Sequence, residues 1–276
     1  MTFSDLEIAV SQTSRTHGYI RDNVGAIWTP NAGKTQQVYS RELAGAMLRE
    51  ADEFFDRALI LYLLRSHLRE IQASTWAGVA TYYSNYFSAL SFVRLHMRSV
   101  TQLVTGPVFE VTVVGQAPSF RIQQRSRRQS HSELWHTYYE EVTGMAWPDA
   151  AAVADLAPAL EALRFREQLY RERINYRPGG GFEEIYLTQS RYLKALKASL
   201  LDDGSAPLIL SDETYTDRMA AQRLSHVANL LQRLRESRID VGAEESLWRQ
   251  RGDLVSRYAK GWADRRFGES LTRDAA

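Results

Sequence analysis

The stretch TWAGVATYYSNYFSALSFVRLHM, residues 75–97, decides how this chain is read. No charged side chain stands between Ile71 and Val93. At helical spacing, Trp76, Val79, Tyr83, Phe87, Leu90 and Met97 share one face, and Tyr82, Tyr86, Ala89 and Val93 share another. A helix apolar on most of its sides is either the centre of a bundle or a membrane span. The interspersed Thr75, Thr81, Ser84, Asn85, Ser88 and Ser91 make it a poor solute for hydrocarbon, and the chain holds no second candidate span. The stretch therefore reads as a core helix, with Tyr83 and Phe87 at the dry centre.

Upstream, Ser40 is placed to cap a long helix in which Leu43, Met47, Phe54, Ala58 and Leu61 recur on one apolar face. That helix continues through Leu64 and Leu68 to about Gln72. Downstream the period shortens. Val108, Phe109, Val111 and Val113 are β-formers, Gly115 to Pro118 is turn material, and Phe120 and Ile122 flank Arg121, so a β-hairpin is expected over about 107–124. Helical patterns resume over about 132–142, from Leu156 to Ile174, and from Phe182 to Leu201. Two closing helices span about 211–267, one carrying Met219, Leu224, Val227 and Leu231, the other Leu247, Leu254, Tyr258 and Trp262. Residues 1–37, with Gly18, Gly25, Pro30 and Gly33, read as an irregular arm with a short helix near its start. The expected class is mainly α: a helical bundle around a central aromatic helix (about 75–97) with an inserted β-hairpin (about 107–124). With no repeat and no Gly/Ser linker, residues 38–276 read as a single helical domain.

Composition narrows the function classes. A 276-residue chain that is 44% hydrophobic and 24% charged has the makings of a substantial core. A net charge of +1 supplies no global field toward nucleic acid or membrane. The absence of cysteine excludes a disulfide framework, a thiolate zinc site and a cysteine nucleophile. The opening residues, Met1 to Glu7, lack a basic flank and apolar run, so no signal peptide and a cytoplasmic location are expected. Lysine occurs only at 34, 194, 197 and 260, and the surplus of arginine is read as codon bias. Gly33-Lys34-Thr35 ends like a phosphate-binding loop, but Trp28 stands where the loop needs its first glycine. No Gly-x-Ser-x-Gly turn occurs. His131 and His136 are five apart, off helical ligand spacing, and His136 with Glu140 reads as a solvated pair. No metal, nucleotide or other cofactor is expected, and no membrane partner.

One strip carries local charge. Arg121, Arg125, Arg127 and Arg128 crowd the end of the hairpin, with His131 close behind and Trp135, Tyr138 and Tyr139 following. Arginine for phosphate and aromatics for stacking suit a single-stranded or RNA surface. The alternative is an edge strand that uses charge to discourage sheet extension.

The segment YYSNYFSALSFVRLH, residues 82–96, resembles a helix of the HEPN family, helical-bundle proteins of bacterial and archaeal toxin–antitoxin and antiviral systems. The segment Tyr170-Arg171-Glu172-Arg173-Ile174-Asn175-Tyr176-Arg177 resembles the family's second signature helix, and the likeness covers about residues 40–200. In active members an arginine and a histidine from two copies meet at a dimer interface and cleave RNA without metal. Here Tyr176 stands where that histidine is expected, and a phenol with a pKa of about 10 is a poor base near neutrality. The resemblance thus implies first a non-catalytic module that binds a partner protein or RNA in a defence or toxin–antitoxin system. Second comes a metal-independent endoribonuclease using Arg171, Asn175 and Tyr176, or Arg125 and His131. Third comes a structural subunit of a larger defence assembly. Self-association or a protein partner is expected in each.

Overall fold

The computed structural model describes residues 15–25, 35–71, 73–102, 108–125, 131–144, 212–237 and 245–258. The chain divides into two compact units, one of residues 1–55, 89–162 and 230–244, the other of 56–88, 163–229 and 245–276. The fold is mainly α, with a small antiparallel sheet.

The first unit begins with α1 (Thr16–Ile20), continued by a π-helical turn over Arg21–Gly25, and then β1 (Thr35–Tyr39). It holds the first half of α2 (Arg41–Glu70) and the last turns of α3 (Ser74–Leu95). The Ser40 hydroxyl accepts the Leu43 N–H at 3.1 Å, the N-cap bond expected from sequence. Its own N–H donates to the Pro118 carbonyl at 2.9 Å, which fastens the start of α2 to the hairpin turn. The strands β2 (Ser99–Gln102), β3 (Val108–Val113) and β4 (Ser119–Arg125) follow, and the sheet order is β1-β4-β3-β2.

The expected hairpin is therefore present as β3–β4, with Val111 opposite Ile122 and Gly115 turning at φ +70°. Two features go beyond it. Thr35–Tyr39, assigned partly to an irregular arm, pairs with β4 and sets Val38 opposite Phe120. The arm consequently makes β4 an interior strand over Ser119–Gln123, and Arg121 does not guard an edge. TQQVY offers no alternating apolar pattern, and Val38 alone in it is as much as half-buried, so pairing rather than patterning makes it a strand.

At the end of α3, Met97 takes the left-handed conformation at φ 56°. The Arg98 N–H reaches the Val93 carbonyl at 3.0 Å and the Met97 N–H reaches Arg94 at 2.9 Å, closing the helix with a methionine where glycine is usual. In α4 (His131–Gly144), Trp135, Tyr138, Tyr139 and Val142 are buried. Tyr138 meets Phe92 edge-on, with ring centroids 5.2 Å apart.

The second unit contains the rest of α2, most of α3, most of α5 (Asp212–Glu236) and α6 (Glu245–Tyr258). Here the reading of the aromatic helix needs correction. Within this unit the fully buried residues of α3 include Ala77, Thr81, Tyr82, Ser84, Asn85 and Ser88. Tyr83, Tyr86 and Phe87 are half-buried, and Trp76 is exposed. Small hydroxyls explain the inversion. Ser84 donates to the Ala58 carbonyl of α2 at 2.8 Å, and no tyrosine could occupy that gap. In the first unit Ser91 does the same to Ala51 at 2.6 Å, seven residues later on one helix and seven earlier on the other.

In α5, Met219, Leu224, Val227 and Leu231 are buried as the periodicity predicts. In α6 the buried side chains are Trp248, Arg251 and Val255, while Leu254, assigned to the core face, is exposed. A buried arginine hides the period: Arg251 donates to Asp56 at 2.6 Å and lies 4.8 Å from the centroid of the Trp248 ring. Among the described residues no helix is long and apolar enough to cross a membrane.

Candidate functional site

Three places concentrate chemistry, and each is confined to one unit. The first is a buried polar cluster in the second unit. Asn85, in the middle of α3, donates to the Thr216 carbonyl at 2.8 Å and to the Thr81 carbonyl at 3.1 Å. Its oxygen accepts from Arg223 Nη1 at 2.6 Å. One turn earlier the Thr81 hydroxyl lies 2.9 Å from the Ala77 carbonyl and 3.1 Å from Asp217 Oδ1. Arg65 and Arg69 flank the other Asp217 oxygen at 3.3 and 2.5 Å. Arg65 also stacks on Tyr62, 3.8 Å from the ring centroid. Both hydrogen-bonding ends of Asn85 are thus used, and a carboxylate shared by two guanidiniums sits where water is excluded. This arrangement ties α2, α3 and α5 into one register. It is a structural keystone.

The second place is an arginine hub in the first unit. Arg98 reaches Glu141 at 2.6 Å, Glu140 at 3.2 Å and Glu110 at 3.4 Å. Glu110 also receives Arg125, from Nε at 2.7 Å and from Nη2 as well. Burial pulls the Arg98 pKa down, but the hydrogen bonds and charges of Glu141 and Glu140 outweigh it and hold the guanidinium above its ordinary value. Nearby, His96 stacks on Phe92 at 4.1 Å, and its Nδ1 contacts the Phe92 carbonyl at 2.7 Å, which makes Nδ1 the protonated nitrogen. Burial lowers its pKa, against the raising effects of that bond and of Glu141. A cleft of about 180 Å³ lies beside it, lined by Leu95, His96, Leu230, Arg233, Leu234 and Ser237. That is below the range of about 300–1,000 Å³ typical of small-molecule sites.

The third place is the outer face of α2 in the second unit. Phe55, Ala58, Leu59 and Tyr62 are its buried side. On the opposite side, where a helix packed on one face ordinarily carries charge, stand Ile60 (58% exposed), Leu64 (42%) and Ile71 (60%). Trp76, in the first turn of α3, is 67% exposed. Single exposed apolar residues are unremarkable, whereas a run of them at helical spacing marks a contact surface.

The strip singled out in sequence is only partly assembled. Arg121 is exposed on β4, and Arg125 is half-exposed but engaged with Glu110. Arg127 and Arg128 lie outside the described residues, and His131 opens α4 with its side chain undescribed. The aromatics offered for base stacking, Trp135, Tyr138 and Tyr139, are buried. Arg171, Asn175 and Tyr176 also lie outside the described residues. His136 and Glu140 form the solvated pair expected, at 3.0 Å. Among the described residues no group of three potential ligands could hold a metal ion. Compared with protein-family models, curated proteins and solved structures, the chain shows no significant match.

Sequence reasoning missed the Asn85–Asp217 cluster and the α2 stripe. The first had a signal: an asparagine within an uncharged, aromatic helix is costly to bury unless both ends of its amide are satisfied. The second was hidden because Leu61 was assigned to the apolar face that Leu43 and Met47 do occupy, and Leu64 and Leu68 were read only as its continuation.

Proposed function

We propose that this chain is a non-catalytic, HEPN-like helical module that acts by protein association, with the outer face of α2 as its contact surface. The observation that carries this reading is the exposure of Ile60, Leu64 and Ile71 on the side of α2 opposite Ala58, Leu59 and Tyr62. Covering large apolar side chains is favourable by about 25 cal/mol per Å² of apolar surface removed from water. The Asn85–Asp217 cluster beneath holds the helix rigid, so little ordering cost opposes docking. RNA contact has less support, because Arg125 is matched by Glu110 and the neighbouring rings face inward. A defence or toxin–antitoxin setting follows from the HEPN resemblance and supplies the natural companions to test.

The test is co-expression of the tagged full chain with its operon neighbours, comparing wild type with Leu64→Glu. A stoichiometric complex, with a companion or with itself, is expected for wild type and is expected to be lost in the variant. Complexes of identical composition and yield in both would overturn the assignment of the surface. Incubating the protein in molar excess over labelled RNA, with chelator present, tests the catalytic alternative: cleavage abolished by Arg171→Ala would replace this reading.

A further inference from the structure

We infer that strand β1, the open edge of the sheet, takes up an extended acidic segment of a partner protein as a further strand, with Arg121 pairing to its carboxylate. This surface lies in the first unit and is separate from the α2 face proposed above, which belongs to the second. The two edges of the sheet are finished differently. β2 is the closed one: Ser99 and Thr101 are buried, and α1 lies against the strand. β1 is open, with Thr35, Gln36, Gln37 and Tyr39 all exposed. Sheet edges are ordinarily protected by charge, proline, a bulge or a covering element. TQQVY holds no charge and no proline, and it pairs with β4 residue for residue, without a bulge.

The register fixes what that edge offers. Tyr39 faces Ser119, and the next residue, Ser40, donates its N–H to the Pro118 carbonyl at 2.9 Å. Bonded pairs alternate along antiparallel strands, so the backbones of Gln36 and Val38 serve β4. The N–H and C=O groups of Thr35, Gln37 and Tyr39 therefore point to the open side. The far flank of β4 agrees: Val114 donates to the Ser119 carbonyl at 2.9 Å, which assigns Ser119, Arg121 and Gln123 to β3. Alternate residues with outward backbone groups are what strand addition uses. The side chains then choose the occupant. Thr35, Gln37 and Tyr39 share a face with Gln123, Arg121 and Ser119, and Arg121 stands opposite Gln37. Arg121 is exposed, and its side chain has no partner among the described residues. A residue of the added strand opposite Gln37 lies two strand spacings, about 9.6 Å, from Arg121. An arginine and a glutamate can meet over that gap, across an uncharged Gln37. Positions opposite Gln36 and Val38 continue the face on which Ile122 and Phe120 are buried, and they suit apolar side chains. The occupant is thus a segment in which acidic and apolar residues alternate.

The experiment selects short peptides from a random display library on the purified full chain, then measures the enriched sequences, dye-labelled, by fluorescence anisotropy. Enriched peptides are expected to alternate acidic and apolar residues. Gln37→Pro deletes an N–H that points to the open side and spares the bonds to β4, so it is expected to fold and to weaken binding at least about fivefold. Arg121→Glu is expected to weaken acidic peptides about three- to tenfold, and exchanging their glutamates for lysine to restore binding to that variant. Circular dichroism and the thermal midpoint verify that Gln37→Pro is folded; should it unfold, the Arg121 exchange decides alone, because rescue by a changed peptide cannot come from damage to the fold. The inference is overturned if no peptide is enriched, if folded Gln37→Pro binds as wild type does, or if Arg121→Glu does not reverse the charge preference. A wild-type dimer in sedimentation velocity that Gln37→Pro dissolves would give the edge to a second copy, and oligouridine that displaces the peptides would give the face to RNA. Either result overturns the peptide as occupant.

Discussion

The two units stabilise arginine in opposite ways. In the second, Asp217 is buried and shared by Arg65 and Arg69, while Arg223 is held by the neutral oxygen of Asn85. In the first, Arg98 is one cation among three carboxylates, and one of these, Glu140, is well exposed. Water can replace Glu140 at the Arg98 hub, whereas Asp217 itself is closed to it. Removing one member of a closed, dry network strands the others, whereas removing one member of a wet network is largely made good by solvent. Ion pairs therefore imply a rigid keystone in one place and a tunable surface in the other.

The sharpest way to break this comparison is Asp217→Ala. It removes the buried carboxylate that faces Arg65 and Arg69, and a loss of about 3–5 kcal/mol in unfolding free energy is expected by urea titration. A loss below about 1 kcal/mol, the range of surface pairs, would mean that the cluster is hydrated and that the contrast fails. Arg98→Ala should cost less, about 1–2 kcal/mol, and the cost should shrink with added salt because Glu140 is exposed. A salt-independent loss as large as that of Asp217→Ala would equate the two sites.

The serines of α3 give a finer version of the same test. Ser84→Ala removes a buried donor from the Ala58 carbonyl and should cost about 1 kcal/mol. The Ser88 hydroxyl is equally buried and has no hydrogen-bond partner among the described residues. Ser88→Ala should therefore be neutral or slightly stabilising. Equal losses at both positions would show that the serines act through size alone.

The smallest effect expected is a pH dependence in the first unit. The folded-state pKa of His96 lies below its ordinary value of about 6.5, chiefly because burial disfavours the imidazolium. The unfolded chain then binds the proton more readily, so stability is full above the ordinary histidine pKa and is lost as pH falls through the depressed folded value. Urea midpoints at about pH 7.5 and pH 5.5 should differ more in wild type than in His96→Gln. An unchanged difference would place the acid sensitivity elsewhere.

Much of the fold was legible because it depends on local rules. Ser40 caps α2 because a hydroxyl satisfies an orphan amide, whatever surrounds it. The β3–β4 hairpin follows from alternating β-formers around Gly115 and Pro118. The strand at Thr35–Tyr39 was not legible, since its structure comes from pairing with β4 and its own residues favour no strand. Nor was the buried face of α6, where Arg251 interrupts the apolar period.

For the aromatic helix, the sequence by itself determined that residues 75–97 form a helix free of charge up to Val93 in a mainly α protein, because charge spacing and helical propensity are properties of the chain alone. Only the tertiary structure decided which side of that helix faces inward. Seven-residue serine steps aligned with α2 carbonyls let two backbones approach closely, while Tyr82 and Phe92 stay buried and Tyr83, Tyr86 and Phe87 are left half-buried. The exposed stripe on α2 was decided the same way: a helix with two apolar faces can bury only one against its own chain, and the choice rests on which face fits its neighbours.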